Sequence, residues 1–160
     1  MITGGLGNML RRLGRRASVS VEFALVSVFV LLPLFAGGAD MLQIISAQAQ
    51  VNTALQSLYY FALMNPTVAS DTSNAGKVLT LINTTALHPV ALGTPNGTLS
   101  YDCLQANGTI TATTGTCTNS TLQTFASYQV TSAVNLPLPL TIFGLPNPFP
   151  LSASGTIQIQ

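Results

Sequence analysis

Residues 23–39 form an apolar run that carries no charge. With Val19, Ser20 and Val21 ahead of it, the stretch is long enough to cross a bilayer as a helix, since about 20 residues at 1.5 Å each span the hydrocarbon core. Residues 41–63 contain no Gly, Pro or charge either. Within them Met41, Ile44, Ile45, Val51, Leu55, Leu58 and Ala62 fall on one helical stripe, with Gln43, Gln50 and Ser57 on the other side. Pro66 stops the pattern, and Asn65 before it is biased away from helix. The spacing predicts one helix over residues 18–64, about 70 Å long, with a kink at Pro33, whose ring removes a backbone donor. The stripe can pack on the domain that follows it or on neighbouring helices in a filament.

Beyond residue 65 the pattern changes. A short helix is expected over residues 74–83, with caps available between Asp71 and Asn74. After Pro89 the period becomes two. Leu99, Tyr101 and Cys103 alternate with Ser100 and Asp102; Tyr128, Val130 and Val134 alternate with Gln129, Thr131 and Asn135; Leu151, Ala153, Ile157 and Ile159 alternate with Ser152, Ser154, Thr156 and Gln158. These are half-buried strands of a small antiparallel sheet with one face toward the helix. Asn96-Gly97 and Asn107-Gly108 mark turns. The expected fold class is α+β, a long N-terminal helix followed by a sheet.

Charge orients this arrangement. Only 6% of the 160 residues are charged while 48% are hydrophobic, and mean hydropathy is +0.48. That balance excludes a charged disordered chain and a nucleic-acid binder built on a basic patch. Arg11, Arg12, Arg15 and Arg16 all precede the apolar run, and beyond them Lys77 alone faces Glu22, Asp40, Asp71 and Asp102. The positive-inside rule puts such an N-terminus in the cytoplasm and residues 40–160 outside. A conventional signal peptide fits the same charges, with Ala36-Gly37-Gly38 as its cleavage site and a secreted binding domain released after Gly38. An uncleaved single-span anchor fits them too. Glu22 fits the signal-peptide reading badly, because an acid at the helix centre costs about 2.5 to 3.5 kcal/mol on insertion scales, and somewhat less near an end.

The residues R-R-A-S-V-S-V-E-F, from Arg15 to Phe23, resemble the processing site of type IV pilin-like precursors. That resemblance implies a cut by a prepilin peptidase between Ala17 and Ser18, which makes Glu22 the fifth mature residue. The apolar helix is then kept, and the leader with all four arginines is removed. The longer match is to TadE-like pseudopilins of tight-adherence (Tad, Flp-type) pilus systems. It rests on Val21-Glu22-Phe23-Ala24-Leu25, on Pro33 within the apolar run, on the proline-rich stretch 137–150, and on the closing Leu151-Ser152-Ala153-Ser154-Gly155. Ala17 stands where the family more usually has Gly. The resemblance implies a pilin-like fold with a leader (1–17), a membrane helix (18–40), an amphipathic extension (41–65) and an extracytoplasmic α+β domain (66–160). It implies a single-pass protein of the bacterial inner membrane that serves pilus biogenesis and surface adhesion. Glu22 and Phe23 would act in assembly, with Glu22 pairing with the Ser18 amine of a neighbouring subunit. The partners implied are the prepilin peptidase, other pilin or pseudopilin subunits, the assembly platform and membrane lipid; nucleic acid is not among them.

Cys103 and Cys117 are the only cysteines. On the exported side they favour a disulfide, contributing about 3 kcal/mol in the chain-entropy model. A tight hairpin on Asn107-Gly108 would set Cys103 opposite Ala112, so the bond needs a wider turn or a bend near Gly115. Two cysteines and His88 do not make a four-ligand metal cluster, and no cofactor is expected. The acids outside the membrane are not paired by spacing, and no phosphate loop, GxSxG or HExxH is present, so the chain does not read as an enzyme. Four Asn-x-Ser/Thr triplets, at Asn83, Asn96, Asn107 and Asn119, lie in a chain rich in Asn and Thr. The tract 94–124 reads as a glycan-permissive, water-facing surface or an exposed loop of the sheet. Ile142, Phe143 and Phe149 in the proline-rich segment offer a docking surface or a covered loop.

Overall fold

A computed structural model describes residues 20–118, 120–136, 144 and 146–160. Among the described residues a long helix, α1, runs Ser20–Met64. A one-turn 3-10 helix (Pro66–Val68), a second helix α2 (Thr72–Asn83) and four strands follow: β1 (Val90–Leu104), β2 (Ile110–Thr113), β3 (Thr121–Val134) and β4 (Phe149–Gln158). The chain divides into two compact units, the first ending at Leu42 and the second comprising Gln43–Gln160. A helix followed by an antiparallel sheet is the expected α+β layout.

In the second unit the sheet order is β2-β1-β3-β4, and every pairing is antiparallel. β3 holds the centre. Its inward residues Thr124, Ala126, Tyr128, Val130, Ser132 and Val134 are all buried, a strict period of two. The α1 residues Ala47, Val51, Ala54, Leu55, Leu58 and Ala62 join them in one core, with Ala75 and Leu79 of α2, Val90 of β1 and Leu151 of β4. Each fully buried Leu or Val contributes about 1.5–3 kcal/mol. The expected stripe on α1 needs correction at one end: Met41 and Ile45 are exposed. Six residues separate Ile45 from Val51, which at 3.6 residues per turn is about 240° around the axis. Ala47 and Ala54 take the inward positions instead, and alanine gives no hydrophobic signal strong enough to reveal this.

α2 starts two residues earlier than expected. Asp71 is its N-cap, with Oδ1 accepting from the Ser73 N–H at 2.9 Å and Oδ2 accepting from the Asn74 amide at 2.8 Å. At its other end Asn83 donates to the Val90 carbonyl and accepts from the Val90 N–H, both at 2.9 Å, and so ties the helix to the start of β1.

Asn96-Gly97 is not a turn between strands. Both residues lie inside β1, where the register against β3 shifts between Leu92 and Asn96 and again between Asn96 and Thr98. Gly97 is a bulge residue with φ +64°. A Cβ there would lie 2.9 Å from the Ala69 carbonyl oxygen and 3.1 Å from the Ser70 Cα. The bare glycine therefore lets the turn after α1 rest against the sheet. From the neighbouring strand the Tyr128 hydroxyl donates to the same Ala69 carbonyl, at a site with no exposure of the tyrosine.

Tyr128→Phe leaves the Ala69 carbonyl without its buried donor, and the expected loss is about 1–3 kcal/mol, read as a lower denaturation midpoint of the detergent-solubilised full chain. Burial also raises the Tyr128 and Tyr59 phenols above their ordinary 10.0. The unfolded chain then releases these protons first, so the contribution of these two phenols is fully present below pH about 10 and is lost as pH rises through the folded values. A denaturation series from pH 8 to 12 should show that loss, and Tyr128→Phe should reduce its steepness.

Candidate functional site

In the first unit the helix presents apolar side chains on all sides. Phe23, Phe29, Leu34 and Phe35 are each about two-thirds exposed or more, and no part of the most apolar 18-residue window is buried. A water-soluble protein rarely exposes an apolar patch beyond a few hundred Å². Among the described residues α1 is the one helix long and apolar enough to cross a membrane.

Glu22 and Phe23 lie in the first turn of the described helix, and both are exposed. The expected cleavage bond, Ala17-Ser18, lies outside the described residues. Pro33 follows a π-helical turn, Ser27–Leu31, in which the Leu32 N–H reaches back five residues to the Ser27 carbonyl. Proline has no N–H and its ring crowds the carbonyl four residues earlier, that of Phe29. The widened turn ahead of it is where such a helix bends or absorbs the misfit.

Asp40, which the sequence offered only as one acid among four, is fully buried, and neither carboxylate oxygen has a hydrogen-bond partner among the described residues. A buried carboxylate without a hydrogen bond is costly. Its position directly after the apolar run was the available signal.

The second unit holds a distinct feature at the β1–β2 end. Cys103 pairs with Thr111, not with Ala112, because the turn spans Gln105 to Thr109 and is wider than a two-residue hairpin. The chain then bends at Gly115, φ +118°. Cys117 comes back to form a disulfide with Cys103, with Cα atoms 5.6 Å apart. The return is held by Thr113, whose hydroxyl donates to the Thr116 carbonyl at 2.9 Å.

Other sequence candidates are placed differently. His88 lies in the connection to β1, where its N–H donates to Gln50 Oε1 at 2.9 Å. Ile142 and Phe143 lie outside the described residues, whereas Phe149 packs against the core and so offers no free docking surface. The two ends of the proline-rich segment are clasped by Asn147, whose amide accepts from the Leu136 N–H at 3.2 Å and donates to the Leu136 carbonyl at 3.3 Å. A groove of about 380 Å³ beside Ile157 is lined by Gln56, Tyr59, Tyr60 and Leu63, all on α1. Among the described residues no group of three His, Cys, Asp or Glu side chains is placed to hold a metal.

Replacing both Cys103 and Cys117 with Ser should cost about 2–4 kcal/mol, measured by denaturation under oxidising conditions, and the difference from the parent chain should vanish when the parent is reduced. Compared with known proteins, the chain matches no family model, no curated protein and no solved structure.

Proposed function

We propose that this chain is a structural subunit precursor of a type IV-like pilus, resembling TadE-like pseudopilins, that enters the inner membrane and is matured by a prepilin peptidase between Ala17 and Ser18. The observation that carries the reading is an acid, Glu22, at the start of the uncharged apolar run 23–39, in a helix whose most apolar 18-residue window has no buried part. A helix destined only to be discarded has no use for it. Maturation would remove four arginines and create one α-amino group at Ser18, one helical turn from Glu22. In the membrane the carboxylate of one subunit would receive the amine of the next, so that each neutralises the other. Phe23 would pack at the same contact. The unit Gln43–Gln160 would be displayed on the outside, held by its own core and disulfide. The role is one of assembly, without catalysis or cofactor.

A second reading has one observation in its favour. The compact unit begins at Gln43, so a signal peptidase cutting after Gly38 would release it whole as a secreted binding domain. Intact mass and N-terminal sequencing of protein from membranes and from sheared surface material separate the two. A start at Ser18 with the helix retained is expected; a soluble product starting at Ala39 would replace the pilus reading with the secreted one, and an uncut Met1 would leave a plain anchor. Hydrogen bonds to charged groups contribute about 1.5–3 kcal/mol. Glu22→Gln should therefore leave cleavage intact and lower incorporation into sheared material by about tenfold or more. Normal incorporation would remove the pairing.

A further inference from the structure

We propose that Asn107 is the acceptor of an N-linked glycan, and that the fold selects it over Asn83 and Asn96. The proposal rests on the exported orientation given above, because the lipid-linked donor sugar is used on that side of the membrane.

The triplets are equivalent in sequence and differ in structure. Asn83 has both ends of its amide committed to the Val90 backbone. Glycosylation there would break the clasp between α2 and β1. Asn96 lies within β1 opposite Tyr128, its Oδ1 is buried, and the next residue is the bulge glycine pressed against Ala69 and Ser70. A transferase cannot reach that backbone without opening the sheet. Asn119 lies outside the described residues. Asn107 stands at the tip of the β1–β2 turn, and every residue from Gln105 to Ile110 is exposed.

The local geometry also suits an acceptor. The Thr109 N–H donates to Asn107 Oδ1 at 3.0 Å, which identifies that atom as the oxygen. The Thr109 hydroxyl lies 2.7 Å from the same Oδ1 and 3.1 Å from Gln105 Oε1. The residue that the triplet requires thus already holds the amide oxygen, while Nδ2 has no partner among the described residues. Gly108, φ +83°, has nothing within 4 Å of where a Cβ would be, so the turn is open on its outer side. Beside it Gln105, Ala106 and Thr118 line a shallow recess of about 400 Å³, where a first sugar residue can lie against the protein. The disulfide at the base of the turn fixes its position on the sheet.

In the reaction Asn107 Nδ2 forms a bond to the anomeric carbon of a polyprenyl-pyrophosphate-linked oligosaccharide. The bond from that carbon to the phosphate oxygen breaks, its electron pair stays on the departing pyrophosphate, and one amide proton passes to a base of the transferase. The product is a polar canopy over the exposed turn at one end of the sheet.

The test uses the purified full chain in detergent, disulfide intact, with a detergent-soluble oligosaccharyltransferase specific for Asn-x-Ser/Thr and a lipid-linked oligosaccharide. Peptide mapping should find the glycan on Asn107 at least tenfold over Asn83 and Asn96. The same chain unfolded and reduced should lose that selectivity. Asn107→Gln and Thr109→Ala should abolish transfer at this turn of the folded chain without moving it to Asn83 or Asn96; Thr109→Ser, Thr85→Ala and Thr98→Ala should keep it. Transfer to Asn83 or Asn96 of the folded chain, transfer to the unfolded chain alone, or only hydrolysis of Asn107 to aspartate would each overturn the proposal. Because the assay contains no membrane, its failure is separate from failure of the pilus reading, which the N-terminal residue decides.

Discussion

Burial of one face of α1, the face of Ala47, Val51, Ala54, Leu55, Leu58 and Ala62, is the condition on which the rest of the second unit depends. A four-stranded sheet with one apolar face needs a cover. This helix supplies it. The alanines are the small residues of that face, and Val51, Leu55 and Leu58 share one core with Tyr128 and Val130. Once that face is committed, the chain leaving α1 has to descend onto the sheet within a few residues. It does so at Ala69, where Gly97 gives way below and the Tyr128 hydroxyl satisfies the carbonyl. A buried backbone oxygen at such a place would otherwise go unpaired. α2 and β1 then follow from the Asp71 cap and the Asn83 clasp.

The same helix has two chemistries along its length. Before residue 40 it is apolar and exposed on every side; after it, one face is buried in the core of the second unit, while Met41, Leu42, Ile45 and Tyr60 stay exposed. A helix that is hydrophobic all round needs an apolar surround, while one with a face buried in a core is held by that core. This difference supports a division of labour in which the first unit is held by lipid or by other helices and the second is held by its own core. Glu22 and Asp40 bracket the apolar stretch as its only nearby acids. One is exposed at the start, and the other is fully buried without a hydrogen bond among the described residues.

The disulfide end of the sheet is built differently from the core. β2 is short, its residues are exposed or half-buried, and the turn before it carries polar side chains that bond mainly to one another. Hydrophobic burial contributes little there. The cross-link between Cys103 and Cys117 supplies the order instead, by limiting the conformations open to the unfolded loop. A polar, cross-linked tip on a well-packed sheet can change its surface without cost to the core.

Sequence alone determined the elements whose signal is local. The uncharged run, the period-two strands around Tyr128, Val130 and Ala153, the Asp71 cap and the stop at Pro66 are each set by residue type and spacing. It also determined the pattern from Arg15 to Phe23 on which the functional reading rests. Tertiary structure decided what depends on partners distant in the chain. Asn96-Gly97 has the residues of a turn, yet it became a bulge because β3 continues to pair past it and Ala69 occupies the space that a side chain would need. Ile45 has the character of a core residue, but it lies about 240° around the axis from Val51 and is exposed. The four Asn-x-Ser/Thr triplets were alike until hydrogen bonding to Val90 and pairing within the sheet removed Asn83 and Asn96 from solvent chemistry. Spacing encodes which way a side chain points from its own backbone, and only the packed fold settles what is there to meet it.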